Sequence, residues 1–243
     1  MKILHLYHDI MNLYGEYGNV RAVERILQKS NANPEVVTAT LGDSVNFDDF
    51  DFIYIGSGTE KNQKIVLDDF KKYTNQLNDY IEAGKVALFT GNSFEMLGKS
   101  ITDADSNKYD GMGIFDFETV EQNKTRVTSD VIFTADFLDE PLVGFVNKCS
   151  EIKGVETPIF DVKMGIGNCS GDKKEGVMLN HMYGTHLTGP VLIKNPYFLE
   201  YIAKILSGNT DKFEVFTDYL SYERAGYEVT LSELTKRMEN NSN

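Results

Sequence analysis

Four short apolar runs in the first hundred residues constrain this chain most. They are KILHLY (2–7), EVVTATL (35–41), FIYIG (52–56) and VALFT (86–90). After the first run, Val20, Val23, Ile26 and Leu27 recur at helical spacing. After the third, Leu67, Phe70, Tyr73, Leu77, Tyr80 and Ile81 form a stripe that predicts one long helix over Ile65–Ala83, closed by Gly84. A further helix is expected to start near Ser93, just past the fourth run. Strands and helices alternating in this way give a parallel sheet with helices on both faces, and such sheets carry their functional loops at the carboxyl ends of the strands. The expected class is therefore α/β, a three-layer α/β/α sandwich.

The middle of the chain has a different character. FDFETV, TRVTSDVIF, LVGFVN and IFDVKMG are strand-like runs separated by turn residues, which predicts antiparallel additions to a mostly parallel central sheet. GVMLNHMYGTHL (176–187) is expected to return to the core as further strands. NPYFLEYIAKILSG, from Asn195, reads as a capped helix with Phe198, Ile202 and Leu206 on one face. A short amphipathic helix and a polar tail are expected over about 230–243, and residues 1–243 read as a single domain.

Charge and composition exclude several roles. With 37 acidic against 24 basic side chains the formal net charge is −13, which repels nucleic-acid phosphates and anionic membrane surfaces. The amino-terminal stretch MKILHLYHDIMNLYG lacks an apolar signal region, and no window resembles a membrane span, so a cytoplasmic location is expected. Cys149 and Cys169 form no CxxC pair, and His5 and His8 are too few for a metal centre, so neither metal nor cofactor is expected.

Three loops follow strands and could carry chemistry. YHDIMNLYGEYGN (7–19) is either a ligand-facing loop or an elaborately shaped turn. GSGTEKNQK (56–64) exposes backbone N–H groups before a helix, as an oxyanion-binding or anion-binding loop does; a plain strand-to-helix turn looks the same. It contains neither GxxxxGK[ST] nor GxGxxG, so nucleotide binding is not expected. In VALFTGNSFEMLG (86–98) a strand turns abruptly at Gly91. A nucleophile elbow needs positive φ at its tip, which glycine adopts freely, but Gly91 has no atom with which to attack.

Taken in order, these blocks resemble the class I, triad-type glutamine amidotransferases, and within them the cobyric acid synthase-like (CobB/CobQ-like) branch that includes GatD-type glutaminase subunits. NLYGEYGN resembles the NLY-x-D-x-GN signature of GatD-like proteins, and GSGTEKNQ resembles their GGG-x-D-R-E-Q oxyanion-loop segment. FEMLGKSI with DGMGIFDFET, TRVTSDV around Arg126, VGFVNK around Asn147 and GTHLTGPVL match later blocks. The resemblance implies a flavodoxin-like α/β/α fold and a cytoplasmic subunit that pairs with a Mur-ligase-like (MurT-type) partner in cell-wall precursor amidation.

At the catalytic positions the chain departs from the pattern. The elbow C-G-G-Y-Q-x-L-G places the nucleophilic cysteine on Gly91, followed by Asn92, and the G-T-x-L-H-G-P block places the catalytic histidine on Thr188. A thiolate and an imidazole act as a unit in glutamine hydrolysis, so their joint absence implies a subunit without ordinary glutaminase turnover. The resemblance leaves Gly56, Gly58, Asn92, Arg126 and Asn147 as binding residues, with Arg126 suited to pair a carboxylate of a small amide or amino-acid ligand. Two alternatives stay open. One is an amidohydrolase with a rearranged site, Thr90 or Ser93 as nucleophile and His186 as base. The other is a freestanding small-ligand-binding module.

Overall fold

The computed structural model describes residues 1–30, 32–122, 126–208 and 219–241. In chain order, β1 (Lys2–Leu6), α1 (Tyr17–Lys29), β2 (Glu35–Ala39), β3 (Phe52–Ile55), α2 (Glu60–Phe70), α3 (Thr74–Glu82) and β4 (Val86–Thr90) come first. The strands that follow are β5 (Ser100–Thr102), β6 (Lys108–Asp110), β7 (Glu118–Glu121), β8 (Val127–Thr134), β9 (Leu142–Lys148) and β10 (Ser150–Lys153). Next are β11 (Phe160–Met164), β12 (Lys174–Glu175), β13 (Val177–Leu179), β14 (Met182–Thr185) and β15 (Leu187–Thr188). Three helices, α4 (Val191–Lys194), α5 (Pro196–Leu206) and α6 (Ser221–Asn241), complete the described chain.

The central sheet has the order β13-β14-β4-β3-β1-β2, parallel throughout except for β13. Side-chain alternation divides its strands between two cores, as it must when both faces are covered. Ile3, Phe52, Tyr54, Val86 and Leu88 pack with α1 and α5 on one face, while Leu4, Leu6, Ile53, Ile55, Ala87 and Phe89 pack with α2 and α3 on the other. The three-layer arrangement expected from the sequence is thus present. The additions form two smaller sheets, β10-β7-β5-β6 and β12-β11-β8-β9-β15. Pairing within them is antiparallel, except that β5 runs parallel to β7.

Several boundaries differ from expectation, each for a local reason. The helix predicted over Ile65–Ala83 starts at Glu60, because the Thr59 hydroxyl accepts from the Asn62 N–H at 3.1 Å and caps it; a 3-10 turn at Lys71–Tyr73 then splits it. The helix expected near Ser93 is instead a 3-10 segment, Gly91–Leu97. Asn195 does not cap α5. Its side chain accepts from the Val143 N–H and donates to the Val143 and Val191 carbonyls, tying β9 to α4. The last helix is longer than expected: α6 begins at Ser221, with Tyr227 and Leu234 buried and most of its remaining surface exposed.

Candidate functional site

The carboxyl end of β4 sets the geometry. Gly91 follows Thr90 with φ +60°, a conformation that a side chain makes costly. A Cβ at Gly91 would stand 2.4 Å from Ser57 Oγ, 2.5 Å from Ser57 Cβ and 3.3 Å from Thr188 Cγ2. Positions 91 and 188 therefore face each other, and Ser57 fills the space that a side chain on residue 91 would need. The Thr188 hydroxyl donates to the Phe145 carbonyl at 3.1 Å, away from the elbow.

Beside the elbow lies a cavity of about 20 Å³, lined in part by Gly58, Asn92, Arg126, Asn147 and His186. Asn92 bridges its floor: Oδ1 accepts from the Gly58 N–H at 3.0 Å and Nδ2 donates to the Gly58 carbonyl at 2.9 Å. Arg126 donates through Nη1 to Asn147 Oδ1 at 2.9 Å and through Nη2 to Glu60, and Asn147 Nδ2 donates to the Tyr14 hydroxyl at 3.0 Å. Burial pushes the Glu60 carboxyl up, but the backbone N–H at the start of α2 and the Arg126 guanidinium outweigh it and hold the group below the usual range. Burial, with Glu60 beside it, pushes the Cys149 thiol up to about 12, so at neutral pH this cavity-lining cysteine is not a thiolate.

Gly56 and Gly58 serve packing as well. A Cβ on Gly56 would meet the Met11 carbonyl oxygen at 2.5 Å, and one on Gly58 the Met11 sulfur at 2.3 Å. The loop over residues 7–19 closes on these two glycines, which is why neither position has room for a side chain.

His186 reaches the cavity but not the candidate nucleophiles. Its ring is 2 % exposed, with Nε2 2.9 Å from Glu95 Oε1 and Nδ1 3.5 Å from Glu175 Oε1, and Phe94 packs edge-on against it. Glu95 also accepts from Gln63 Nε2 and from the Ser150 hydroxyl. Burial raises the Glu95 carboxyl, but the His186, Ser150 and Gln63 hydrogen bonds together keep it below its ordinary value. Ser93 Oγ donates to the Ile55 and Thr90 carbonyls, while Thr90 Oγ1 bonds Glu16 and the Tyr54 hydroxyl. The structure thus does not assemble the alternative site of Thr90 or Ser93 with His186: both hydroxyls are buried in other bonds and the imidazole is engaged by Glu95.

Glu16, from the NLYGEYGN block, is fully buried behind the elbow. It accepts from the Thr90 and Tyr54 hydroxyls and from the Gly189 N–H at 2.8 Å, joining the first loop to β3, β4 and the turn after β15. Burial is the largest influence and raises its carboxyl above the ordinary 4.5, against those hydrogen bonds. A raised folded-state value means the native protein binds this proton more tightly than the unfolded chain. The associated stability is complete below the unfolded value and is lost as pH rises through the folded one. Glu16→Gln, which cannot ionise, is accordingly expected to gain on wild type as pH rises above the ordinary value of 4.5 in urea melts; a pH-independent difference would contradict this.

Sequence reasoning did not single out Ser57, Glu60, Glu95 or Glu175. Ser57 had a signal, since it interrupts two glycines in GSG, and Glu95 had one as a lone charge in the apolar run FEML. Glu175 sits on a two-residue strand with no pattern around it.

A positive-φ elbow at the carboxyl end of a central parallel strand, facing a glycine loop, fits the glutamine amidotransferase class. A glutamine amidotransferase structure from Thermotoga maritima matches with a TM-score of 0.52 at 11% identity, covering 98% of this chain and 97% of that one, which supports the fold. The chain belongs to the CobB/CobQ-like glutamine amidotransferase domain family, which matches residues 2–196. It is similar to the GatD subunit of the glutamine-hydrolyzing lipid II isoglutaminyl synthase of Staphylococcus aureus, with 31% identity over 83% of this chain and 82% of that protein. The corresponding GatD subunit of Streptococcus pneumoniae is 27% identical over 80% of this chain and 76% of that protein. Among the described residues no helix is long and apolar enough to cross a membrane.

Proposed function

We propose that this protein is a GatD-like subunit that has kept the amidotransferase fold without glutamine hydrolysis, and that it partners a Mur-ligase-type enzyme in amidation of a cell-wall precursor. The observation that carries the reading is the meeting of Gly91, Ser57 and Thr188 at one point: no nucleophile, a hydroxymethyl group in the space a nucleophile would need, and no imidazole opposite. Glutamine hydrolysis needs a thiolate to attack the amide carbon and a titratable base to protonate the departing ammonia. A threonine hydroxyl does not titrate near neutrality, and Cys149 is held as a thiol. The similarity to GatD subunits supports the partner and the pathway step.

Reconstitution with a Mur-ligase-type partner from the same source tests this. Co-expressed chains are expected to elute together, and the complex to amidate lipid II with ammonium but not with L-glutamine. Equal use of L-glutamine would contradict the loss of hydrolysis. Elution as a lone subunit, with no ligase retained, would favour the freestanding binding module.

A further inference from the structure

The Asn92 side chain makes a two-point pair with the backbone of one residue, Gly58. Its carbonyl oxygen accepts from the Gly58 N–H at 3.0 Å and its amide nitrogen returns a hydrogen bond to the Gly58 carbonyl at 2.9 Å. Ser57 Oγ stands 3.4 Å from the same Oδ1, on the side facing Gly91. The Asn92 backbone carbonyl accepts from Gln63 Nε2 at 2.7 Å, which fixes the residue from behind. A primary carboxamide thus already lies against the backbone donor and acceptor that the glycine loop presents to the pocket.

The rest of the pocket is similarly engaged. Both arms of the Arg126 guanidinium are held, one by Glu60 and one by Asn147, so an incoming carboxylate would have to displace a side chain of the protein. The enclosed space that remains, about 20 Å³, holds roughly one water.

We infer that the chain occupies its own amide site: the Asn92 carboxamide, backed by Ser57, takes the position of a substrate carboxamide and keeps free primary amides such as L-glutamine from binding. The inference rests on the reading of this pocket as a retained amidotransferase site. It goes further in naming Asn92 and Ser57 as the residues that decide whether the pocket accepts a ligand. Removing them should restore a site selective for a carboxamide over a carboxylate, because only the amide can both accept from the Gly58 N–H and donate to the Gly58 carbonyl.

The test is thermal shift and calorimetry with L-glutamine and L-glutamate on wild type, Ser57→Gly/Asn92→Gly and Asn92→Ala. The wild-type midpoint is expected not to move with either ligand. The double variant should show a saturable rise with L-glutamine, since a ligand that binds only the native state raises the midpoint with occupancy. Its affinity for L-glutamate should be weaker by about tenfold or more. If the double variant does not fold, Asn92→Ala carries the same expectation. Binding of L-glutamine to wild type as tightly as to the variants would overturn the inference, and so would its failure to bind any folded variant. Neither result touches the proposed loss of hydrolysis, which is read from ammonia release.

Discussion

Gly91→Cys alone is expected to release ammonia from L-glutamine at no more than a trace rate and to lower stability by about 1–3 kcal/mol. The new Cβ would stand within 2.5 Å of two Ser57 atoms, on a backbone with φ +60°. Restoring a nucleophile therefore requires clearing its surroundings. The combination Gly91→Cys, Ser57→Gly, Asn92→Gly and Thr188→His removes the obstruction, empties the amide position and puts an imidazole opposite the thiol. General acid–base help of this kind contributes about 10²–10⁴-fold, so ammonia release by the combination should exceed that of Gly91→Cys by at least about a hundredfold. Equal activity in the two variants, measured by coupled ammonia assay, would show that Ser57, Asn92 and Thr188 do not limit the site.

The second large effect concerns stability. His186→Ala should cost about 1–3 kcal/mol in urea unfolding, because it removes the imidazole's 2.9 Å hydrogen bond to the buried Glu95 carboxyl, while Glu175 keeps its bonds from the Thr185 hydroxyl and the residue 186 N–H. The Lys148 ammonium lies within electrostatic range of both carboxyl groups, but its hydrogen bonds go to the Gly167 and Asn168 carbonyls, each at 2.7 Å. A loss below about 0.5 kcal/mol would mean that the His186–Glu95 hydrogen bond does not hold this cluster together. A folded His186→Ala protein should also keep whatever ligand response wild type has, as expected of a structural histidine.

How much of this was legible beforehand follows from where the information lies. Continuous apolar runs mark the inner strands of the central sheet, since a parallel strand buried on both faces has to be apolar along its length, as FIYI and VALFT are. Residues 91 and 188 are picked out by counting from glycines in the motifs, and in the structure a Cβ on Gly91 would stand 3.3 Å from Thr188 Cγ2. What could not be read were contacts between distant segments. Ser57 filling the elbow, Asn92 turning back onto Gly58 and His186 lying between Glu95 and Glu175 depend on side-chain direction after the chain folds. Helix limits depart from the sequence pattern where side-chain bonds decide them, as at Thr59, which starts α2 early, and at Asn195, whose amide serves β9 rather than α5. The carboxyl-terminal helix was underestimated because its buried stripe is narrow: Tyr227 and Leu234 are its buried apolar side chains, and Tyr222 and Val229 are exposed.

An amidotransferase pocket with no thiol at residue 91 and no imidazole at residue 188 is expected not to hydrolyse glutamine. Ammonia release from L-glutamine by the purified wild-type protein, alone and with its ligase partner, measures this directly. A rate indistinguishable from a buffer control is expected in both cases. Saturable ammonia release above that control, from either preparation, would contradict it.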